Sequence, residues 1–285
     1  MNLRASTLPP GWYPRTKGEI AAFVDRALAS DHPRPAVAAA APHAGWYYSG
    51  ALAARAVNAL AQGEEPETVA VLGGHLPRGA RALFFMEDAV ETPLGALEID
   101  RELRRPLLDA LGGGDDRYAD NTVEVLLPLV RYLFPRSKVL ALRLPADRSS
   151  FEAGRSVYRA ARDLGRSVRV LASTDLTHYG PNYGFSPRGS GRNALDWVTD
   201  VNDRRFIDAV TAGDYAGALH LAETEKSACS AGAVLGAMGF AAAGRSVTNG
   251  GKSAPAELLA YANSAGNGEI PDSFVGYGAF AWYQD

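Results

Sequence analysis

Cysteine and lysine are the scarce residues of this 285-residue chain, with Cys229 alone of the first and only Lys17, Lys138, Lys226 and Lys252 of the second. A single cysteine excludes an internal disulfide framework and any paired-cysteine redox or zinc motif. A reducing, cytoplasmic setting is therefore expected. The basic residues, 29 against 32 acidic ones, are mostly arginine and leave a net charge of -3. No basic face for nucleic acid is expected from that balance. A long apolar run is missing too. The uncharged segment Cys229–Gly244 is mostly Ala and Gly and falls short of the roughly 20 apolar residues that a bilayer span requires. Met1–Pro14 carries three prolines and no apolar stretch of signal-peptide type. Nucleic-acid and membrane partners are not expected.

With 47% hydrophobic residues the chain has ample material for a core, and one α/β domain over residues 1–285 is the expectation. Short apolar segments read as strands: Ala36–Ala41, Thr68–Leu72, Lys138–Leu144, Val168–Ala172, Leu258–Tyr261 and Tyr277–Tyr283. Amphipathic patterns between them read as helices: Gly18–Ala29, Ala51–Gln62, Arg101–Leu111, Val123–Phe134, Phe151–Leu164, Asp203–Ala212 and Ala231–Ala243. This alternation predicts a central sheet, mostly parallel or mixed, flanked by helices. The strands lack polar alternation, as they should when both faces are covered. Leu111–Asn121 and Tyr179–Arg192 read as loops, the second long enough for a lid or rim.

Three of the five histidines share an address, His43, His75 and His178 each following the carboxyl end of an expected strand. Ligand sites of open α/β sheets form in the crevice beyond those ends. Converging imidazoles suit zinc, copper or iron. His32 falls in a Pro-rich turn and His220 in a helical pattern, so neither joins them. Cys229, just before a helix, reads either as a thiolate ligand or as a small buried hydrophobe. Asp175 and His178, three apart, read as a carboxylate-supported general base or as part of a helix cap. Ser49 has no GxSxG elbow around it and reads as the cap of the helix at Ala51.

The most unusual stretch is Pro42–Gly50, Pro-His-Ala-Gly-Trp-Tyr-Tyr-Ser-Gly. It resembles the PHAGYxYSG signature of the Memo family, with Trp46 where tyrosine is usual. Gly11–Pro14 is similar to GxWYP, Gly73–His75 to Gly-x-x-His, Glu91–Gly95 to ETPLG followed by Ile99-Asp100, Asn121–Pro128 to E-x-x-x-P and Ser173–Gly180 to SSDFxHYG. The resemblance runs from Trp12 to the last strand. It implies the α/β fold shared with class III extradiol (LigB-like) dioxygenases, His43, His75 and Cys229 as metal ligands, and His178 with Asp175 as the acid/base pair. It also implies a substrate pocket walled by Trp12, Trp46, Tyr48 and Glu124. The family usually continues Cys-Gly-Arg where this chain has Cys229-Ser230-Ala231.

Two imidazoles and one further donor leave positions open on a metal, as in non-haem Fe(II) oxygenases. The function expected is thus a metal-dependent redox enzyme acting on a small, possibly aromatic molecule. Fe(II) is the first expectation, with Cu or Zn favoured by the softer thiolate. The alternative is a phosphotyrosine-peptide adaptor using the same pocket. A radical-enzyme pathway partner is implied by the resemblance alone. Hydrolysis by a free Cys229 with His178 would leave two histidines without a role.

Overall fold

A computed structural model describes residues 2–29, 33–243, 254–266 and 268–283. His32, Gly244 and Lys252 lie outside the described residues, so the turn expected around His32 is not described. The chain forms one α/β domain built on a nine-stranded mixed sheet. From one edge the order is His178–Tyr179, Phe274–Trp282, Ala38–Ala41, Val168–Ser173, Thr68–Leu76, Lys138–Pro145, Leu83–Phe84 and Gly114–Asp115, with Glu257–Asn263 also paired to Phe274–Trp282. Ala38–Ala41, Val168–Ser173, Thr68–Leu76 and Lys138–Pro145 run parallel to one another. Phe274–Trp282 runs antiparallel to Ala38–Ala41. A small separate sheet joins Leu3–Arg4, Ala89–Val90 and Leu97–Glu98.

The apolar strands read as they do because helices cover both sides. Ala38 and Ala40 pack with Leu72, Leu142 and Val170 against Phe151, Val157, Val234 and Met238. Ala39 and Ala41 face the other way, toward Ile20, Ala53, Val57 and Leu129. Successive side chains of a strand point to opposite faces, so an all-alanine strand serves two cores at once. Each fully buried Leu or Val contributes about 1.5–3 kcal/mol to that packing. The Gly/Ala-rich helix Ala231–Ala242 is entirely buried. A Cβ on Gly154 would overlap the Gly236 carbonyl, so the neighbouring helix Ser149–Asp163 approaches it backbone to backbone. Among the described residues no helix is long and apolar enough to cross a membrane.

The expected strands and most helices are present, with corrections at the ends. The helix expected at Ala51 begins at Trp46, capped by Gly45 without a side-chain hydrogen bond. Ser49 is therefore inside it, its hydroxyl donating to the Ala44 carbonyl at 3.2 Å. The pattern Val123–Phe134 divides into Asn121–Glu124 and Leu127–Leu133. Pro128 lies at the start of the second piece, where its missing N–H costs nothing, whereas in a continuous helix it would break a bond. No helix opens at Ser173–Asp175. The chain there leaves the sheet and returns as the edge strand His178–Tyr179.

Candidate metal centre

The parallel strands end on one side, and the start of antiparallel Phe274–Trp282 reaches the same side. His43 follows Ala38–Ala41 after Pro42, His75 is the penultimate residue of the strand Thr68–Leu76, and Asp175 follows Val168–Ser173. Cys229 comes from behind, just ahead of the helix Ala231–Ala242. One donor atom from each of His43, His75 and Cys229 lies within 4.8 Å of the others. His43 Nε2 is 3.2 Å from Cys229 Sγ. The two imidazole rings meet edge to face, their centroids 5.0 Å apart.

Each donor is held from the far side. His43 Nδ1 pairs with Ser173 Oγ at 2.8 Å, and its backbone N–H donates to Asp175 Oδ1 at 2.8 Å. Its carbonyl accepts from Asn121 Nδ2 at 2.9 Å. The Cys229 N–H donates to the Asp175 carbonyl at 3.2 Å, and the Asp175 N–H points at Sγ at 3.3 Å. His75 Nδ1 pairs with Asp120 Oδ2 at 3.0 Å, which leaves Nε2 for the centre. Pairing one ring nitrogen with an oxygen orients the ring and fixes which nitrogen stays open. His75 has φ +58°, a left-handed conformation that few non-glycine residues adopt. Gly74 before it has no room for a side chain, since a Cβ would overlap the Ser230 side chain and come 2.9 Å from its Cα.

These contacts shift the titrations. Burial opposes the charge on His43, but the Asp175 carboxylate and the Cys229 thiolate outweigh it and raise its pKa. Burial also opposes charge on His75 and is overcome by Asp120 and Cys229, which push it up to about 10. For Cys229 burial favours the neutral thiol, yet the His43 charge and the close imidazoles of His178, His43 and His75 carry it well below its ordinary value. The resulting thiolate is the form of cysteine that binds metals.

Above the donors opens a cavity of about 740 Å³ whose lining includes Trp12, His43, Tyr48, His75, Asn121, Asp175, His178, Tyr183 and Tyr277. His178 Nε2 is buried with no hydrogen-bond partner and lies 3.7 Å from Asp175 Oδ2. The same Oδ2 is 3.8 Å from His43 Nε2, so Asp175 stands between the two rings. Burial would lower the His178 pKa, but Asp175 and Cys229 hold it up, at about 9. Its ring leans on Tyr183 with centroids 4.9 Å apart.

Two residues expected in the pocket wall are elsewhere. Trp46 is buried and its indole N–H donates to the Val125 carbonyl at 3.0 Å. Both Glu124 oxygens face the N-terminal strap, accepting from Ser6 Oγ, Thr7 N and Oγ1, Leu8 N and Tyr13 OH. Asp100, after the ETPLG-like segment, caps the helix Arg101–Ala110 and accepts the Thr68 hydroxyl. Asp116, Asp120 and Arg143 were not among the expected site residues, and Ser173, expected at a helix cap, instead holds the His43 ring. Arg143 could have been noticed, because it is a charge inside the apolar strand Lys138–Pro145 and a buried charge needs a partner.

The family model described as Memo-like protein matches residues 4–281. A MEMO1 family protein from Thermococcus onnurineus is 29% identical over 87% of this chain and 87% of its own length. Another, from Pyrococcus abyssi, is 32% identical over 86% of each, and one from Pyrococcus furiosus is 31% identical over 86% of this chain and 85% of its own. A crystal structure of an uncharacterized protein from Escherichia coli K12 overlaps 76% of this chain and 86% of its own, with 16% identity and a TM-score of 0.39.

Proposed function

The chain belongs to the Memo family, and on that premise we propose that it is a metal-dependent oxidoreductase whose ion is held by His43, His75 and Cys229. The observation that carries this is the convergence of three donors within 4.8 Å, two of which, His43 and His75, line an open cavity. Donors that share one ion at bonds of about 2.0–2.3 Å stand roughly 3–4 Å apart, and His43 Nε2 is 3.2 Å from Cys229 Sγ. The fit is also chemical. Both imidazoles have the second nitrogen occupied by an oxygen partner, and the sulfur is held as thiolate. Two imidazoles and a thiolate accept iron(II), copper or zinc. An iron or copper ion held by these three residues would supply Lewis acidity and redox chemistry.

The remaining tasks fall to the protein's own side chains. His178, with Nε2 unpartnered, is the general acid/base that exchanges a proton with a substrate hydroxyl. Asp175 keeps its imidazolium form in place through Oδ2 while Oδ1 anchors the His43 backbone. Trp12, Tyr48, Tyr183 and Tyr277 offer flat walls that suit an aromatic ring and shed water. Among the described lining residues there is no arginine or lysine. A phosphopeptide would have to be held by imidazolium alone, which favours the enzyme over the adaptor.

The test is metal analysis of protein purified without oxygen, followed by oxygen uptake with a panel of catechols and related phenols. About one iron or copper per chain and turnover with some member of the panel are expected. Unchanged metal content in a His43→Ala/His75→Ala variant would overturn the assignment of the site. Tight phosphotyrosine-peptide binding with no turnover under any metal would overturn the activity.

A further inference from the structure

Behind His75 lies a chain of charged groups that the reaction outlined above does not use. Asp116 is fully buried and holds Arg143 by a fork, Nε to Oδ2 at 2.7 Å and Nη2 to Oδ1 at 2.8 Å. The remaining arm, Nη1, lies 3.2 Å from Asp120 Oδ2 and 3.5 Å from the Gly74 carbonyl, to which it donates. Asp120 Oδ2 pairs with His75 Nδ1 at 3.0 Å. Its other oxygen, Oδ1, accepts the Thr122 hydroxyl, whose oxygen in turn accepts the Gly74 N–H at 3.2 Å. The carboxylate thus reaches the Gly74-His75 segment twice, once through the ring and once through the backbone.

That grip falls where the chain is strained. His75 keeps its left-handed φ of +58° next to a glycine that cannot take a side chain, and such conformations persist only where the surroundings enforce them. His75 is also the looser of the two imidazole donors, with 32% of its side chain exposed against 1% for His43. We propose that Asp120, charge-paired with Arg143, is the positioning residue that makes His75 a metal ligand, clamping both its ring and its strained backbone. This rests on the metal reading above. The Asp116–Arg143 pair anchors the clamp in the core. Asp120 supplies two oxygens to four donors, on His75, Arg143 and the hydroxyl and N–H of Thr122, a demand that a neutral side chain with one acceptor does not meet.

Asp120→Ser separates the clamp from the ordinary duty of Asp120, which also caps the short helix Asn121–Glu124 through the Thr122 N–H at 2.9 Å. Serine keeps a capping oxygen but withdraws the one facing His75 and Arg143. The readouts are Zn(II) affinity by chelator competition and the absorption spectrum of the Co(II)-loaded protein. A roughly 10–100-fold weaker Zn(II) affinity is expected, in line with loss of a ligand's outer partner. The thiolate-to-cobalt band should persist while the ligand-field bands shift, and the unfolding temperature of the metal-free protein should change little. Affinity and spectrum equal to the parent's would overturn the clamp. Arg143→Lys keeps the cation but not the fork and gives a second test should the serine variant not fold. A loss in the same direction is expected, and unchanged affinity overturns the proposal. If the parent binds neither Zn(II) nor Co(II), it is the metal reading that fails, and the clamp falls with it.

Discussion

His43 and His75 offer the same chemical group to the same centre and are mounted in opposite ways. His43 stands directly after a central strand, with 1% of its side chain exposed, its ring tied to Ser173 and its backbone to Asp175. His75 stands at a strand end in a strained conformation, a third exposed, tied to a carboxylate that is itself tied to a buried arginine. The inner imidazole is placed by the fold and the outer one by a side-chain network. A donor of the first kind is part of the core, so its loss should damage the protein. A donor of the second kind should be removable with little harm to folding.

The largest expected effect tests what the two have in common. Replacing both with alanine should lower metal affinity by roughly 1,000-fold or more, since a structural ion's total of about 10–16 kcal/mol is shared among a few ligands. Equilibrium dialysis with metal analysis reads it. His178→Gln should leave metal content unchanged and cut turnover about 100- to 10,000-fold, the usual range for a lost general acid/base. A parallel fall in metal content would make His178 part of the centre and break the division of roles.

Stability separates the two histidines. His43→Ala in the metal-free protein should cost about 2–4 kcal/mol, because it opens a buried cavity and strands polar partners. His75→Ala should cost less than about 1 kcal/mol, because the ring is a third exposed and its loss opens little buried space. Denaturant unfolding distinguishes them, and equal losses would erase the contrast.

The remaining expected effect concerns the strap and lies away from the metal centre. Glu124→Gln should cost about 1–2 kcal/mol, since one acceptor oxygen becomes a donor facing donors. Burial works to raise the Glu124 pKa, but the donors on Thr7, Leu8 and Ser6 hold it below the ordinary glutamate value. A depressed folded-state pKa means that the unfolded chain binds the extra proton first, so this stabilisation is complete above about pH 4.5 and is lost as the pH falls. The parent should lose more stability than the glutamine variant between pH 5 and pH 3, and thermal unfolding across that range measures the difference.

Glu124 and Trp46 show where a motif misleads. Both belong to segments that resemble family signatures, and both are spent on internal bonds, one to the strap and the other to the Val125 carbonyl. Asp100 in its own segment is a helix cap. Linear spacing says that such residues are required somewhere and is silent on whether a ligand or the chain itself requires them. Asp120 and Arg143 show the converse. They are 23 positions apart in the sequence and meet only because one opens a short helix while the other lies on the neighbouring strand, so no local pattern links them.

From residues alone came the alternation of strand and helix and the place of three histidines after strands, while the donor set of two nitrogens and a sulfur came from the resemblance to the Memo family. Those are short-range matters, set by side-chain type and by the periods of strand and helix. Tertiary structure decided which donor is rigid and which is clamped, that Asp175 stands between two imidazoles, and that Glu124 faces away from the cavity. Those outcomes depend on the strand order and on close approaches between distant segments, and both come from packing the whole chain around two cores.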